Sequence, residues 1–155
     1  IWAPSHGLTQ PWRFVVLQDN ALLQLSEVLG NAYLSETPKE LQNDKKLIKL
    51  INRPKLATAV IALIVDREKD TKISEADDFA AVACAVQNMH LTATAQGIGG
   101  FWSSTNMVKT QQFREFISLT EQQVCIGLFY LGYPEIEWPK GQRKPIEYVT
   151  TWKSE

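Results

Sequence analysis

Two stretches of this 155-residue chain carry side chains in arrangements that invite chemistry. The first is Pro4-Ser5-His6-Gly7-Leu8-Thr9-Gln10-Pro11-Trp12, where hydrogen-bonding side chains sit on a proline-stiffened segment with an aromatic anchor at its end. The second is Gly97-Ile98-Gly99-Gly100-Phe101-Trp102-Ser103. Its glycines expose backbone N–H groups and permit close approach of a flat ligand, and Phe101 and Trp102 put apolar surface beside them. A planar ring with one polar edge, such as a flavin, suits both stretches. Each also has a plainer description: a proline-rich turn whose Gln10 caps a neighbouring helix, and a helix stop followed by two core aromatics.

Other chemistries find no pattern here. No Gly-x-Ser-x-Gly elbow and no Walker-type phosphate loop occurs. The Gly97 stretch fails the dinucleotide fingerprint, because Trp102 stands where the last glycine belongs and a helix precedes it. His6 and His90 are far apart without ligand-type neighbours, so no metal centre is expected. No Ser/His/Asp or Cys/His grouping stands out, so no catalytic side chain is assigned. An enzyme of this composition works through a bound cofactor.

Charge and length narrow the partners. Sixteen basic and 17 acidic residues leave a formal charge of −1 and a pI of about 6.2. The basic footprint of a nucleic-acid binder is missing, as is a polybasic membrane patch. A composition of 45% hydrophobic and 21% charged residues excludes a disordered chain. The length suits a single domain over residues 1–155. The longest apolar run, Leu56 to Val65, is too short to span a bilayer. Cys84 and Cys125 make neither a disulfide framework nor a zinc site and read as buried thiols. With no secretory signal at Ile-Trp-Ala-Pro, a cytoplasmic location is expected. The chain opens at Ile1 directly on a motif-like segment, which suggests that an N-terminal segment is missing.

The two stretches need elements to position them. Residues 3–12 read as a loop and Arg13 to Gln18 as a buried strand. Asp19 or Asn20 caps a helix running to about Tyr33. Thr37-Pro38-Lys39-Glu40 matches a capping box with proline at the first helical position, predicting a helix towards Asn52 that stops before Pro54. Ala57 to Val65 predicts a central strand, and Asp66 to Ser74 a solvated loop. Glu75 to Gln96 is the longest helical pattern. It is rich in alanine and apolar on more than one face, which predicts burial on several sides and a subunit contact. Gly97 ends that helix, and residues 97–105 read as a loop. Lys109 to Ile117 predicts a short helix and Val124 to Tyr133 a third strand. A polar tail follows from Pro134, carrying Trp138, Arg143, Tyr148 and Trp152. Three strands and about four helices in mixed order predict an α+β or three-layer domain.

Taken together, these segments resemble the nitroreductase family. Its first motif is similar to Ala-Pro-Ser-x-x-x-x-Gln-Pro-Trp-x-Phe, Ala3 to Phe14. A helix motif resembles Gln87-Asn88-Met89-His90-Leu91-Thr92-Ala93. The Gly97 to Ser103 segment and the strand end Leu131-Gly132-Tyr133-Pro134 follow in the family's order over essentially the whole chain. The resemblance implies an α+β, three-layer α/β/α fold with a mostly antiparallel sheet, forming an intertwined homodimer with one FMN at each of two interface sites. It implies an NAD(P)H-dependent oxidoreductase. NAD(P)H, as co-substrate, reduces the flavin by hydride transfer. A small-molecule acceptor, nitroaromatic or quinone, then takes the electrons in a ping-pong cycle. On the same ground His6, Gln10, Phe101, Trp102, Ser103 and Arg143 are expected to bind the cofactor. Leu91 to Gln96 are expected to border the nicotinamide side. The family's usual Arg-Arg-Ser-x-Arg segment for the flavin phosphate does not precede Ile1. The alternative is a non-catalytic flavin-binding or flavin-storage protein.

Overall fold

Four apolar segments pair into one sheet in the computed structural model, which describes residues 1–69, 71–138 and 141–154. Strands β1 (Trp12–Leu17), β2 (Ala59–Asp66), β3 (Gly99–Ser103) and β4 (Gln123–Gly132) lie in the order β1-β2-β4-β3, with every neighbouring pair antiparallel. β2 is an interior strand, and its unbroken apolar run serves both faces. Val60, Ala62 and Ile64 point to one helical layer and Leu63 and Val65 to the other, as the two-residue period of a strand requires.

Helices α1 (Asn20–Glu36), α2 (Asp44–Leu56) and α4 (Gln111–Phe116) cover the first face, and α3 (Glu75–Ala95) covers the second. The result is the expected α+β, three-layer fold. α1 buries Leu22, Leu25, Leu29 and Tyr33 at helical spacing. Gly30 brings α2 close, since a Cβ there would stand 2.9 Å from Ile51 Cγ2. Ser26 Oγ donates to the Ile51 carbonyl across the same contact. β4 carries one extra residue: Leu63 pairs with Gly127 and Ile64 with Cys125, so Ile126 is unmatched. This bulge reverses side-chain parity, turning both Cys125 and Leu128 to the first layer and Phe129 towards α3.

Several elements differ from the sequence reading. Residues 99–103 form a strand rather than a loop, so the sheet has four strands. Glycine weakens strand propensity, yet Gly100 is what lets β3 lie flat: a Cβ there would be 2.6 Å from Phe129 Cζ and 2.8 Å from His90 Cδ2. α2 does not begin at the Thr37 box. Pro38 is extended (ψ 140°), Lys39–Leu41 make a 3-10 turn, and Asn43 caps the helix by accepting from Lys46 N at 3.1 Å. Gln42 Nε2 donates instead to the carbonyls of Leu34 and Thr37, closing the end of α1. α2 also continues through Pro54, which is buried in its last turn. α1 extends to Glu36, and Asp19 takes its cap position in a left-handed conformation (φ 51°) without a side-chain capping bond. Residues Asn106–Lys109 form a separate 3-10 turn before α4. Cys125 is buried, but Cys84 is exposed on α3. Among the described residues no helix is long and apolar enough to cross a membrane.

Candidate functional site

The loop before β1 is held under strain. It contains a 3-10 turn, His6–Leu8, and its Gly7 (φ 60°), Leu8 (φ 58°) and Gln10 (φ 46°) are all left-handed. Glycine adopts this region freely, whereas the other two pay roughly 1–2 kcal/mol each and persist only where the surroundings over-determine them. Those surroundings are the start of α3. Thr9 Oγ1 donates to Asp78 Oδ1 (3.3 Å), Arg67 Nε donates to Asp78 Oδ2 (3.0 Å), and Arg67 Nη2 donates to the Ile73 carbonyl (2.8 Å). Asp78 is 2% exposed, so these partners are what make its burial tolerable. His6 Nδ1 lies 3.1 Å from Asp77 Oδ2, which also accepts from Ser74 Oγ at 2.9 Å. Hydrogen bonds from His6 first, then Ser74, hold the Asp77 carboxyl below its ordinary value. Beyond the turn, Arg13 donates to the carbonyls of Gln10 and Trp12 and pairs with Asp66 at 3.2 Å. The Gln10 backbone N–H donates to Ser5 Oγ, while its exposed side-chain amide has no partner among the described residues.

Alternation along β3 sends its side chains to different layers. Trp102 packs in the α3-side cluster, directly over Gly127, where any Cβ would collide with the indole. Its Nε1 is buried and has no acceptor. Phe101 faces α2 and is 46% exposed. Its ring centroid is 6.0 Å from that of Tyr130, and the Arg53 guanidinium lies 4.9 Å above it, within cation–π range. Burial pushes the Tyr130 hydroxyl up to about 12 against the opposing charge of Arg53. Tyr130 is therefore an uncharged wall at neutral pH.

Ser103, Ser104 and Thr105 look across a crevice of about 420 Å³ at α2. Lys46, Lys49 and Arg53 line the other side, because positions i, i+3 and i+7 share one helix face. Arg53 also borders an apolar trough of about 420 Å³ with Leu131, Pro134 and Trp138. None of Lys46, Lys49 and Arg53 forms an ion pair among the described residues. Thr105 Oγ1 accepts from Met107 N, while the Ser103 and Ser104 hydroxyls have no protein partner among the same residues. The sequence reading singled out Ser103 but missed Arg53. The basic spacing on α2 was visible, but its meaning depends on α2 lying against β3.

Phe101, Trp102 and Ser103 are thus gathered on β3, and His6 and Gln10 before β1. The two groups stand at opposite edges of the sheet, separated by about 14 Å across three strand spacings and offset along the strands as well, since Trp12 is level with Val124 of β4 and Phe101 with Tyr130. A single chain does not unite them. Arg143 lies in the exposed tail, donating from Nη1 to the Gln142 carbonyl at 2.8 Å, and joins neither group. α3 is buried on one side only within the chain: Ala76, Phe79, Ala80, Cys84, Leu91 and Ala95 are exposed along the other. Leu91 to Gln96 are exposed except for Ala93. No cluster of His, Cys, Asp and Glu among the described residues could hold a metal ion.

Comparison with known proteins gives a consistent picture. The sequence profile of the Nitroreductase family matches residues 1–133. "Putative NAD(P)H nitroreductase YdjA" of Escherichia coli K12 is 30% identical over 135 residues, covering 87% of this chain and 72% of that protein. "Putative NAD(P)H nitroreductase YfhC" of Bacillus subtilis 168 is 25% identical over 150 residues, covering 94% and 74% respectively. Among solved structures, a nitroreductase-like family protein from Bacillus cereus superposes with a TM-score of 0.79 at 25% identity, covering 97% of this chain and 77% of the other. The FMN-dependent nitroreductase NfnB from Mycobacterium smegmatis, solved with NADPH, shares the fold with a TM-score of 0.75 at 17% identity, covering 99% and 83%.

Proposed function

This chain belongs to the nitroreductase family, and from that premise we propose that it is an FMN-dependent oxidoreductase. NAD(P)H is the reductant, and a nitroaromatic, quinone or similar flat acceptor is the oxidant, in a ping-pong cycle. The names of its relatives support NAD(P)H, and the M. smegmatis structure supports FMN and NADPH. FMN held there would supply the redox chemistry, carrying two electrons from NAD(P)H to the acceptor. The observation that carries the reading is the crevice beside β3, where an exposed aromatic ring, unpartnered hydroxyls and an unpaired arginine converge. These groups fit a flat ring with a polar edge.

Each residue has a separate task. Phe101 offers an apolar face and Ser103 a donor. Arg53 fixes a positive charge beside them, which lowers the cost of placing negative charge on a reduced ring. Gln10 contributes a free amide from a turn locked by Asp78. His6 is orientated by Asp77. Trp102 contributes its backbone, since its indole faces away from the crevice. Arg143 is assigned to the flavin phosphate on the family resemblance alone, since within one chain it joins neither group. The two sheet edges meet only if a second chain brings its Gln10 turn to this chain's β3, so the working unit is a homodimer joined along the bare side of α3. Cytoplasmic residence suits an enzyme fed by NAD(P)H.

Excess FMN tests the reading at its base. A ligand held by the native state alone raises stability, so the melting temperature should climb with FMN concentration. A melting temperature indifferent to FMN would contradict the proposal.

A further inference from the structure

The crevice between α2 and β3 does not end at Thr105. A second cavity of about 410 Å³ adjoins it there, sharing Lys46 and Thr105 and lined further by Lys109 and Glu36. Arg53, Lys49, Lys46 and Lys109 therefore line these two adjoining cavities, a basic channel in which Glu36 is the single carboxylate among the described lining residues, in a chain whose formal charge is −1. None of the four cations is paired with a carboxylate among the described residues. Lys46 is held by the Tyr33 ring, with Nζ 5.2 Å from its centroid. From Lys46 to Arg53 the helix rises roughly 10 Å, comparable to the span of a diphosphate and its two sugars.

We propose, building on the function above, that this channel binds the phosphate-bearing half of the dinucleotide donor and selects NADPH over NADH. Arg53 stays with the flavin ring beside Phe101, and Lys49, on the next turn towards Lys46, serves the diphosphate. Lys46 and Lys109, at the far end, serve the adenosine 2′-phosphate. A donor without that phosphate would leave Lys46 and Lys109 unmatched and place its ribose hydroxyl beside Glu36, so the selectivity comes from the far pair. Phosphate contacts by lysine are charge-assisted. Losing both should cost about tenfold or more in affinity.

The test uses calorimetry on protein saturated with FMN, with adenosine 2′,5′-bisphosphate and adenosine 5′-monophosphate as probes. The wild type should bind the bisphosphate more tightly, and Lys46→Gln/Lys109→Gln should abolish the difference. Both lysines are exposed, so the fold tolerates the exchange. Equal binding of the two probes by the wild type, or a difference that survives in the double variant, overturns the inference. A double variant that loses FMN affinity instead also overturns it, by assigning the channel to the cofactor's own phosphate. Neither probe carries a nicotinamide or a flavin. Failure here is therefore separate from failure of flavin reduction, which would sink the proposed function alone.

Discussion

Gln10 and Ser103 reach the proposed site by different physical routes. Gln10 is placed by strain, its left-handed backbone fixed through Thr9, Asp78 and Arg67. Ser103 is placed by strand alternation, which sends it and Phe101 towards α2. Neither side chain contributes to the core, so Gln10→Ala and Ser103→Ala should each weaken FMN retention on gel filtration while leaving the unfolding free energy in urea within about 0.5 kcal/mol of wild type. Variants that keep flavin as tightly as the parent would refute the assignment. Gly100 is the opposite case, a residue that only fits. Its missing Cβ makes room for Phe129 and His90, whose rings meet edge to face at 5.4 Å. Gly100→Ala forces these rings apart and should lower stability by about 1–3 kcal/mol, read from denaturant unfolding. An unchanged midpoint would mean that β3 packs more loosely than described. At this scale the residue types of the site were legible from the motifs, but the direction of Trp102 was not. The strand that turns it towards α3 is masked in the sequence by its glycines.

β4 ties the elements together, and its buried groups make a pH prediction. Burial raises the Cys125 thiol from 9.0 to about 11 and the Tyr130 hydroxyl from 10.0 to about 12. The unfolded chain loses these protons first. The folded state's advantage is therefore complete below pH 9 and is lost as pH rises through 11 and then 12. Two units correspond to about 3 kcal/mol per group. Urea midpoints should fall over this alkaline window, and Cys125→Ala should remove the earlier part of the fall. Midpoints flat to pH 12 would contradict the burial described. Elements with one unmixed period were the legible ones: the apolar run of β2, the core stripe of α1 and the long α3. α2 was misplaced because two caps compete within seven residues, Thr37 and Asn43. The choice is made by Gln42 reaching back to α1, a contact that no local pattern encodes.

For the whole molecule, the Gln10 turn and β3 occupy opposite edges of one sheet, so the proposed flavin site requires two chains. Leu91 is 60% exposed on the bare side of α3, and a charge there opposes a close helix contact. Leu91→Arg should shift the protein to a monomer on sedimentation analysis and lose FMN with the same change. A monomer that keeps flavin would break the link between assembly and cofactor. Arg53 and the basic channel became visible only at this scale, when the register of α2 against β3 was fixed. The account is tested most directly by the absorbance spectrum of FMN-loaded protein before and after anaerobic NAD(P)H. It predicts flavin bands that bleach on addition of NAD(P)H and return with a quinone or nitroaromatic acceptor. Protein that stays colourless after incubation with FMN, or whose colour NAD(P)H leaves untouched, would contradict it.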